Sequence, residues 1–477
     1  MSELSYLIKN ARFVVTMDPS LGVLENCDVL LQGDTIAKIG HNIEGPAGVQ
    51  VIDAENAIVS PGFIDTHRHV WQTQIRSVAN DWTLFDYFVH VRNRFASCYT
   101  KEDAYLGNYV GALEAIFSGV TSLVDHSHII NTPAHADAVI KGLQDAGIRA
   151  TWCYGFWPNP DYTKSDPFSS RPDWRTEDIV RVKEQFFTDN DEDLIRFGLA
   201  PTEIAATPVP LFLEEVQLGR KLNAKLITAH VAKGFYDHNE FHVTKINNAG
   251  MLGPDLLLSH GSAFTDDELR MIRENKVKVS STPETELQMG MGHPVCFRSH
   301  DAGCLSSLGI DIVSNNSGDM FNQMRLALQS ERSVRNAETA ARGKVPVKIA
   351  RKTEDVLRLA TIGGAECMGL EHLTGTLTVG KKADLIITSC EDINMVPIHD
   401  PILALVQHAN SHNVSSVFVN GKLLKHNGRL VGVDWEAVKR ELRQSAENIM
   451  ARAAKIDKEP LIARARKLGY HEDARAD

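Results

Sequence analysis

The stretch Ile58–His69, IVSPGFIDTHRH, is a short apolar run that continues directly into two histidines separated by one residue. In an extended strand successive side chains point to opposite faces, so His67 and His69 project the same way and Arg68 points the other way. Two imidazoles on one face can share a metal ion. A chain with 19 histidines could also carry such a pair as ordinary loop residues. The pair alone therefore does not establish a metal site.

The composition excludes several classes of partner. The chain has 477 residues and 43% hydrophobic residues, which is enough for a large core, and its formal net charge of −11 disfavours nucleic acid or an anionic membrane surface. It lacks a long apolar run that could span a membrane and a signal-peptide pattern at its N-terminus. Its 7 cysteines form no C-x-x-C pair, which is typical of reduced thiols and predicts a cytoplasmic protein.

Both ends of the chain carry strand patterns. Residues 1–60 contain short alternating apolar runs with a Gly-Asp turn, but too few strands for a stable sheet alone. Near the other end, strand patterns with Asn-Gly turns at 420–421 and 427–428 indicate β-hairpins. We therefore expect residues 1–60 and 371–435 to form one small β-sandwich.

The middle of the chain, residues 61–370, alternates short apolar runs with helical patterns. Capping boxes that begin at Thr100 and Thr265 predict two of the helices. Eight such units predict an α/β fold, a TIM (β/α)8 barrel of parallel strands. The charged helical tail, 436–477, is either a helix packed on the barrel or a helix that binds a partner.

Residues suited to metal binding follow the predicted barrel strands. His67 and His69 end strand one, His230 ends strand five, His260 ends strand six and Asp311 ends strand eight. Alone, each histidine could be a hydrogen-bonded loop residue, and Asp311 a helix cap or turn residue. Since reacting groups gather at the carboxyl ends of barrel strands, the set together predicts a metal site.

Several of these segments resemble the amidohydrolase superfamily, in the branch of the triazine hydrolases and the guanine-, cytosine- and adenosine-type deaminases. The similar segments cover nearly the whole chain and are PGFIDTHRH, ITAHV, LLLSHG, PETELQMGMG, DAGCLSSLGID and the run from Thr361 that ends in GKKADLIIT. The resemblance implies a barrel with a split β-sandwich, and a homo-oligomer, either a dimer or a tetramer.

The resemblance also implies roles for the strand-end residues. His67, His69 and His230 would bind one divalent metal, Zn²⁺ or alternatively Fe²⁺, with Asp311 as a ligand or near-ligand that accepts a proton from the activated water. His260 would polarise the substrate or hold the attacking hydroxide. Relatives with two metals use a bridging ligand on strand three or four, where this chain has no lysine, although Glu203 could bridge.

One position departs from the family pattern. Deaminases of this branch usually have H-x-x-E after strand five, where the glutamate moves a proton to a ring nitrogen, but this chain has His230-Val-Ala-Lys233. Either Glu284 or Glu286, after strand seven, replaces that acid, or the substrate needs no ring protonation and Lys233 pairs with a substrate carboxylate. A solvent-facing Lys233 and exposed loop glutamates are the ordinary alternatives.

Other residues near the predicted strand ends could contact substrate. Gln72, Arg76 and Trp82, in the long segment after strand one, offer an amide, a cation and a stacking face for a planar nitrogenous compound. His126 and His128 end strand two and lie on the same rim. Packing of a long loop and structural histidines would explain the same residues.

The predicted activity is that of a metal-dependent hydrolase that acts on a non-peptide carbon–nitrogen bond of a small cyclic or aromatic nitrogenous compound. Hydrolysis of another bond (dechlorination or ester cleavage) and lyase chemistry at the same metal are alternatives within enzymes. A catalytically silent, structural member of the superfamily is the alternative from another class.

Overall fold

The computed structural model describes residues 5–168, 174–237 and 239–467. Its strands, in chain order, are β1 (Ser5–Val15), β2 (Val23–Gln32), β3 (Thr35–Gly40), β4 (Gln50–Asp53), β5 (Ala57–Pro61), β6 (Phe63–Arg68), β7 (Val120–Ser127), β8 (Arg149–Gly155), β9 (Ile195–Ala200), β10 (Ile227–Val231), β11 (Leu256–His260), β12 (Lys278–Ser281), β13 (Leu305–Leu308), β14 (Leu385–Ser389), β15 (Val414–Val419), β16 (Lys422–His426) and β17 (Arg429–Leu430).

The helices in these ranges are α1 (Leu84–Asp86), α2 (Lys101–Phe117), α3 (Pro133–Ala146), α4 (Trp174–Phe186), α5 (Val209–Lys221), α6 (His242–Asn248), α7 (Asp266–Glu274), α8 (Pro283–Gln288), α9 (Cys296–Asp301), α10 (Met320–Ala341), α11 (Thr353–Leu359), α12 (Ile362–Met368), α13 (Pro401–Gln407), α14 (Trp435–Ala453) and α15 (Glu459–Lys467). Short 3-10 turns lie at Val70–Ile75, Ala96–Cys98 and Gly234–Asp237, and a π-helical segment at Tyr87–Phe95. Across the described ranges, no helix has both the length and the apolar character needed to cross a membrane.

Strands β6 to β13 form an eight-stranded parallel sheet in which each strand neighbours the next one in the chain. The sheet closes into a barrel through backbone hydrogen bonds between the end of β6 and the residues that follow β13. The Asp311 amide donates to the His67 carbonyl at 2.8 Å, and the His69 amide donates to the Asp311 carbonyl at 2.8 Å. The predicted TIM barrel is confirmed, and the capping boxes that open α2 and α7 lie where the sequence predicts them.

The two chain ends form a second, nine-stranded sheet, in the order β17-β16-β15-β14-β5-β1-β2-β3 with β4 beside β1. Its junction is the antiparallel pair of β5 and β14. The predicted Asn-Gly turn at Asn420-Gly421 has both residues at positive φ, 49° and 74°, and a side chain at Gly421 would meet the Gly33 carbonyl oxygen at 2.0 Å. The predicted sandwich built from both ends is confirmed, and it encloses a core of its own.

A buried ion pair joins the barrel to this sheet. Arg149, at the start of β8, donates through Nε to Asp384 Oδ2 at 2.6 Å, and both side chains are essentially inaccessible to solvent. Asn420 completes the network, since it accepts from the Arg149 guanidinium at 2.8 Å and donates its amide to Asp384 at 2.6 Å. Asp384 belongs to the GKKADL run, so the signature has a structural role at this junction.

The tail helix α14 packs on the barrel. Its Ser445 hydroxyl donates to Asp103 Oδ1 at 2.6 Å and accepts from Gln74 Nε2 at 3.2 Å, and its Arg452 pairs with Asp103. These contacts favour the packed-helix interpretation of the tail. Residues 468–477 of that predicted segment lie outside the described residues.

Removal of one partner from the Arg149–Asp384 pair should destabilise the protein strongly, because the remaining charge stays buried. We expect Asp384→Ala to lower the free energy of unfolding by about 3–5 kcal/mol in chemical denaturation. The control is Lys141→Ala, which removes a largely exposed ion pair with Asp145 and should cost less than about 1 kcal/mol. Equal effects of the two variants would contradict a structural role for the buried pair.

Candidate metal centre

Three histidines at strand ends direct their Nε2 atoms to one point. His67 lies in β6, His69 directly after it, and His230 in β10, on the far side of the barrel. His230 Nε2 is 3.2 Å from His67 Nε2 and 3.3 Å from His69 Nε2, and all three rings are buried. The alternation of side chains along β6 brings His67 and His69 to the same face, as the sequence predicts.

Asp311 supplies a fourth donor atom. Its Oδ1 lies 3.4 Å from both His67 Nε2 and His69 Nε2. Four ligands at about 2.0–2.1 Å from a tetrahedral ion are about 3.3 Å from one another. The spacing of these nitrogen and oxygen donors therefore fits a tetrahedral divalent metal, and His260 borders the cluster as a second neighbour of His67 and His230.

Each of the three imidazoles is oriented through its other nitrogen. His67 Nδ1 is 2.8 Å from Ser259 Oγ, and His69 Nδ1 donates to the His126 carbonyl at 2.8 Å. His230 Nδ1 donates to Glu203 Oε1 at 2.5 Å. Such partners fix the ring and leave the Nε2 lone pair for a metal, as in carboxylate–histidine–metal triads.

The backbone is strained where two of the strand-end residues lie. His260 has φ 79° and Asp311 has φ 71°, in the left-handed region that residues other than glycine rarely adopt. Gly309 precedes Asp311 at a close approach, since a Cβ there would lie 2.8 Å from the His67 carbonyl oxygen. The backbone bonds that close the barrel hold Asp311 in this conformation and direct its side chain into the site.

Burial sets the charges of the cluster. It lowers the pKa of His69 to about 3 and also lowers the pKa of His67 and of His230, so these rings are neutral. Burial alone would raise the pKa of Asp311, but the hydrogen bond with His67 and the other histidines around the carboxylate hold that pKa below its usual value. Neutral imidazoles beside an ionised carboxylate form a donor set suited to a divalent cation.

A cavity opens beside the cluster. Its lining combines the cluster with apolar and charged side chains: His69, Leu84, Tyr87, Phe88, Arg92, His128, Glu203, His230, Lys233, His260, Thr285, Met289, Met291, Asp311 and Ile312. Half of the lining residues that the sequence analysis missed come from α1 and the π-helical segment. These elements follow β6 in a long connection whose apolar residues have no regular period. The sequence therefore did not indicate which of their residues face the cavity.

Lys233 faces this cavity rather than solvent. Its side chain is 3% exposed, and Nζ lies 3.2 Å from Glu203 Oε2 and 3.7 Å from Asp237 Oδ2. Glu203, considered above as a bridging ligand, instead connects His230 to Lys233. The solvent-facing alternative for Lys233 is therefore wrong.

The two glutamates after strand seven lie in helix α8 rather than in a loop. Glu286 is fully buried, accepts from the Thr282 amide at 2.7 Å and lies 3.6 Å from His260 Nδ1, behind that ring. Glu284 accepts from Gln323 Nε2 at 2.9 Å and contacts Ser317. Neither glutamate is among the residues that line the cavity, so the structure does not bring them to the point where a substrate would lie.

The predicted substrate contacts after strands one and two separate into two groups. His128 lines the cavity and stacks on His69, with ring centroids 3.8 Å apart. Gln72 is absent from the lining, because its amide donates to the Tyr87 hydroxyl at 2.7 Å and accepts from the Ser314 hydroxyl at 2.7 Å. Trp82 is also absent and packs beside His90, 4.9 Å between ring centroids.

Arg76 and His126 likewise have structural partners. Arg76 pairs with Glu114 at 2.7 Å on the surface. His126 stacks on the His230 ring with centroids 4.3 Å apart, so it supports the cluster from behind.

A parallel barrel with a buried, histidine-rich metal-binding site at its strand ends defines a class of TIM-barrel enzymes. Residues 58–424 match the model of the amidohydrolase family. This chain belongs to that family, and it is a hydrolase that acts on carbon–nitrogen bonds other than peptide bonds in small nitrogenous compounds. The alternative of a catalytically silent homologue is set aside.

The relatives are deaminases by name. A 5'-deoxyadenosine deaminase from Methanosarcina acetivorans is 30% identical over 467 residues, which cover 94% of this chain and 99% of that protein. A 5-methylthioadenosine/S-adenosylhomocysteine deaminase from Thermococcus onnurineus is 29% identical over 430 residues, 88% of this chain and 94% of that protein.

Solved structures show the same fold. An adenosine deaminase from Xanthomonas campestris with bound zinc has a TM-score of 0.82 at 23% identity and covers 94% of this chain and 99% of its own. An atrazine chlorohydrolase from Arthrobacter aurescens complexed with zinc has a TM-score of 0.81 at 22% identity, and the match covers 92% of this chain and 100% of that one.

Loss of the carboxylate behind His230 should weaken metal binding. We expect Glu203→Gln to bind zinc about 10- to 100-fold more weakly than the unmodified protein, because the imidazole loses an ionised orienting partner. Competition with a chromophoric chelator measures the affinity. Glu214→Gln, on the exposed side of α5, is the matched control and should bind zinc normally; equal affinities in all three proteins would exclude this role for Glu203.

Proposed function

We propose that this protein is a metal-dependent aminohydrolase that releases ammonia from a small aminated nitrogen heterocycle. Its metal ligands would be His67, His69, His230 and Asp311, and the metal would be one Zn²⁺, with Fe²⁺ accepting the same donors. The observation that carries the proposal is that His67 Nε2 and His69 Nε2 each lie 3.2–3.4 Å from both His230 Nε2 and Asp311 Oδ1, next to a cavity. The deaminase names of relatives that match 94% of the chain support the bond type.

The proposed chemistry assigns the proton transfers to residues of the chain. A divalent metal bound at the cluster lowers the pKa of its water toward about 7. Asp311 would accept a proton at its second carboxylate oxygen and return it to the departing amino group. His260, whose Nδ1 lies 3.0 Å from Thr282 Oγ1, would direct Nε2 at the substrate and stabilise charge on it.

The lining of the cavity limits the substrate. Leu84, Phe88 and Met291 provide apolar contacts for the faces of a flat ring. His128, stacked on His69, would contact one edge of that ring. The proposed substrate is therefore planar.

Hydrolysis of an exocyclic amide is the second candidate, and Lys233 is the observation that favours it. A buried lysine at this position provides no carboxylic acid to protonate a ring nitrogen. Hydrolysis of an exocyclic amide does not need that acid. Product analysis separates the candidates, since deamination releases ammonia and hydrolysis of a substituted amide releases an amine.

We also propose that the protein is cytoplasmic and that it forms a homo-oligomer, either a dimer or a tetramer. The structural units of each chain would be segments 1–60, 61–370, 371–435 and 436–477. All 7 cysteines are buried and unpaired, which suits a reducing compartment. Val345, Val347 and Ile349 are exposed at 80%, 90% and 57% on one segment between α10 and α11, which is unusual for a surface that stays in water. Light scattering of the purified protein measures the oligomeric state.

The proposed activity predicts ammonia release that depends on the cluster. A screen of aminopurines, their nucleosides (5'-deoxyadenosine among them), aminopyrimidines and aminotriazines with zinc-loaded protein should contain at least one compound that releases ammonia. We expect His67→Ala to be inactive and Asp311→Asn to reduce kcat by about 10²- to 10⁴-fold, because the proton acceptor is lost. Release of ammonia at equal rates by the unmodified protein and by His67→Ala would refute the assignment.

A further inference from the structure

Two buried cations, Lys233 and Arg92, line the cavity near Glu203. We propose, on the basis of the function proposed above, that Lys233 and Arg92 form an anion-selective subsite, so that the true substrate is a nitrogen heterocycle carrying a carboxylate or another ionised oxygen. The subsite would distinguish such a compound from a neutral aminated ring of the same shape.

Lys233 is held rigidly at this wall. It follows β10 and is 3% exposed, and its Nζ lies 3.2 Å from Glu203 Oε2. Its backbone amide donates to Asp237 Oδ2 at 3.0 Å, which fixes the turn, and its Nζ lies 5.6 Å from the centre of the Phe88 ring. The ammonium group therefore has a defined position on the cavity wall and loses little conformational freedom when a ligand binds.

Arg92 reaches the same cavity from the π-helical segment. Its guanidinium donates to the His128 carbonyl at 3.1 Å, and its side chain is 3% exposed. Burial lowers the pKa of Arg92 to about 10, so the group keeps its charge at neutral pH. A planar guanidinium and a compact ammonium that line the same cavity form a suitable recognition pair for a carboxylate.

The carboxylates of the cavity are already used within the protein. Asp311 belongs to the donor cluster, and Glu203 is shared between His230 and Lys233. A neutral substrate would leave the wall formed by the two cations facing an uncharged group in a cavity from which water is displaced. A substrate anion would instead form charge-assisted hydrogen bonds there, where the low dielectric strengthens them.

A purely structural role for Lys233, as the counter-ion of Glu203, makes a different prediction. In that case its loss would disturb His230 and weaken metal binding, but would change the affinity for charged and neutral ligands equally. The comparison of two ligands that differ only in charge therefore separates ligand selection from positioning.

The probes are 6-aminopyridine-3-carboxylate and 6-aminopyridine-3-carboxamide, which have nearly the same shape and an amidine-like carbon. Calorimetry on the zinc-loaded protein should show that the carboxylate binds about tenfold or more tightly than the carboxamide. Lys233→Gln should remove most of this preference, and Arg92→Gln should also reduce it. Lys233→Arg, which keeps the charge, should retain most of it.

Two controls keep the result specific to the subsite. Lys101→Gln removes an exposed lysine at the start of α2 and should leave the preference unchanged. The same titrations on metal-free protein exclude carboxylate binding to zinc as the source of the effect, because the dependence on Lys233 should persist there. Metal content is measured for each variant.

Equal carboxylate-to-carboxamide ratios in the unmodified protein, Lys233→Gln and Arg92→Gln would overturn the inference. Loss of zinc in Lys233→Gln, with an unchanged ratio in the fraction that still holds zinc, would assign Lys233 a positioning role and would also overturn the inference.

Failure of the proposed function can be distinguished from failure of the subsite. Absence of ammonia release from every compound, with charge selection that depends on Lys233, would refute only that function, whereas release from neutral rings with a KM unaffected by Lys233→Gln would refute only the subsite.

Discussion

The backbone pairing that closes the barrel is the interaction on which the site depends. Asp311 donates to the His67 carbonyl and accepts from the His69 amide, each at 2.8 Å, so the last strand end is held against the first. Three of the four donor residues belong to this one pairing, and His230 faces them across the barrel. The cluster is therefore a consequence of closure, because shifting the register of these ends by one residue would point the side chains away from one another.

Closure in turn needs the rest of the fold. The strand that precedes β6, β5, pairs with β14 from the far end of the chain, and Arg149 and Asp384 form a buried ion pair across the junction. Buried charges are costly unless they are paired and hydrogen-bonded, so the two layers are fixed in one relative arrangement. The chain ends thereby hold the strand that carries His67 and His69.

The sequence was informative where local chemistry determines structure. Alternation in β6, the capping boxes at Thr100 and Thr265, and the Asn-Gly turns each follow from a few neighbouring residues, and together they define the barrel and the sandwich. The sequence was less informative where contacts between distant residues determine the position of a side chain. The amide of Gln72 is occupied by Tyr87 and Ser314, and Glu284 by Gln323, and neither partnership can be read from sequence spacing.

Lys233 illustrates the limit most clearly, and it also bears on the chemistry of the site. A lysine three residues after a strand-end histidine is usually solvent-facing, yet here Glu203, itself oriented by His230, holds it inside the cavity. The same carboxylate thus serves the donor cluster on one side and the cation on the other. A buried lysine with such a partner keeps its position without a substrate, so the ion pair is part of the cavity wall before anything binds. The chemistry that this site can support therefore depends both on the donor cluster and on the Glu203–Lys233 ion pair beside it.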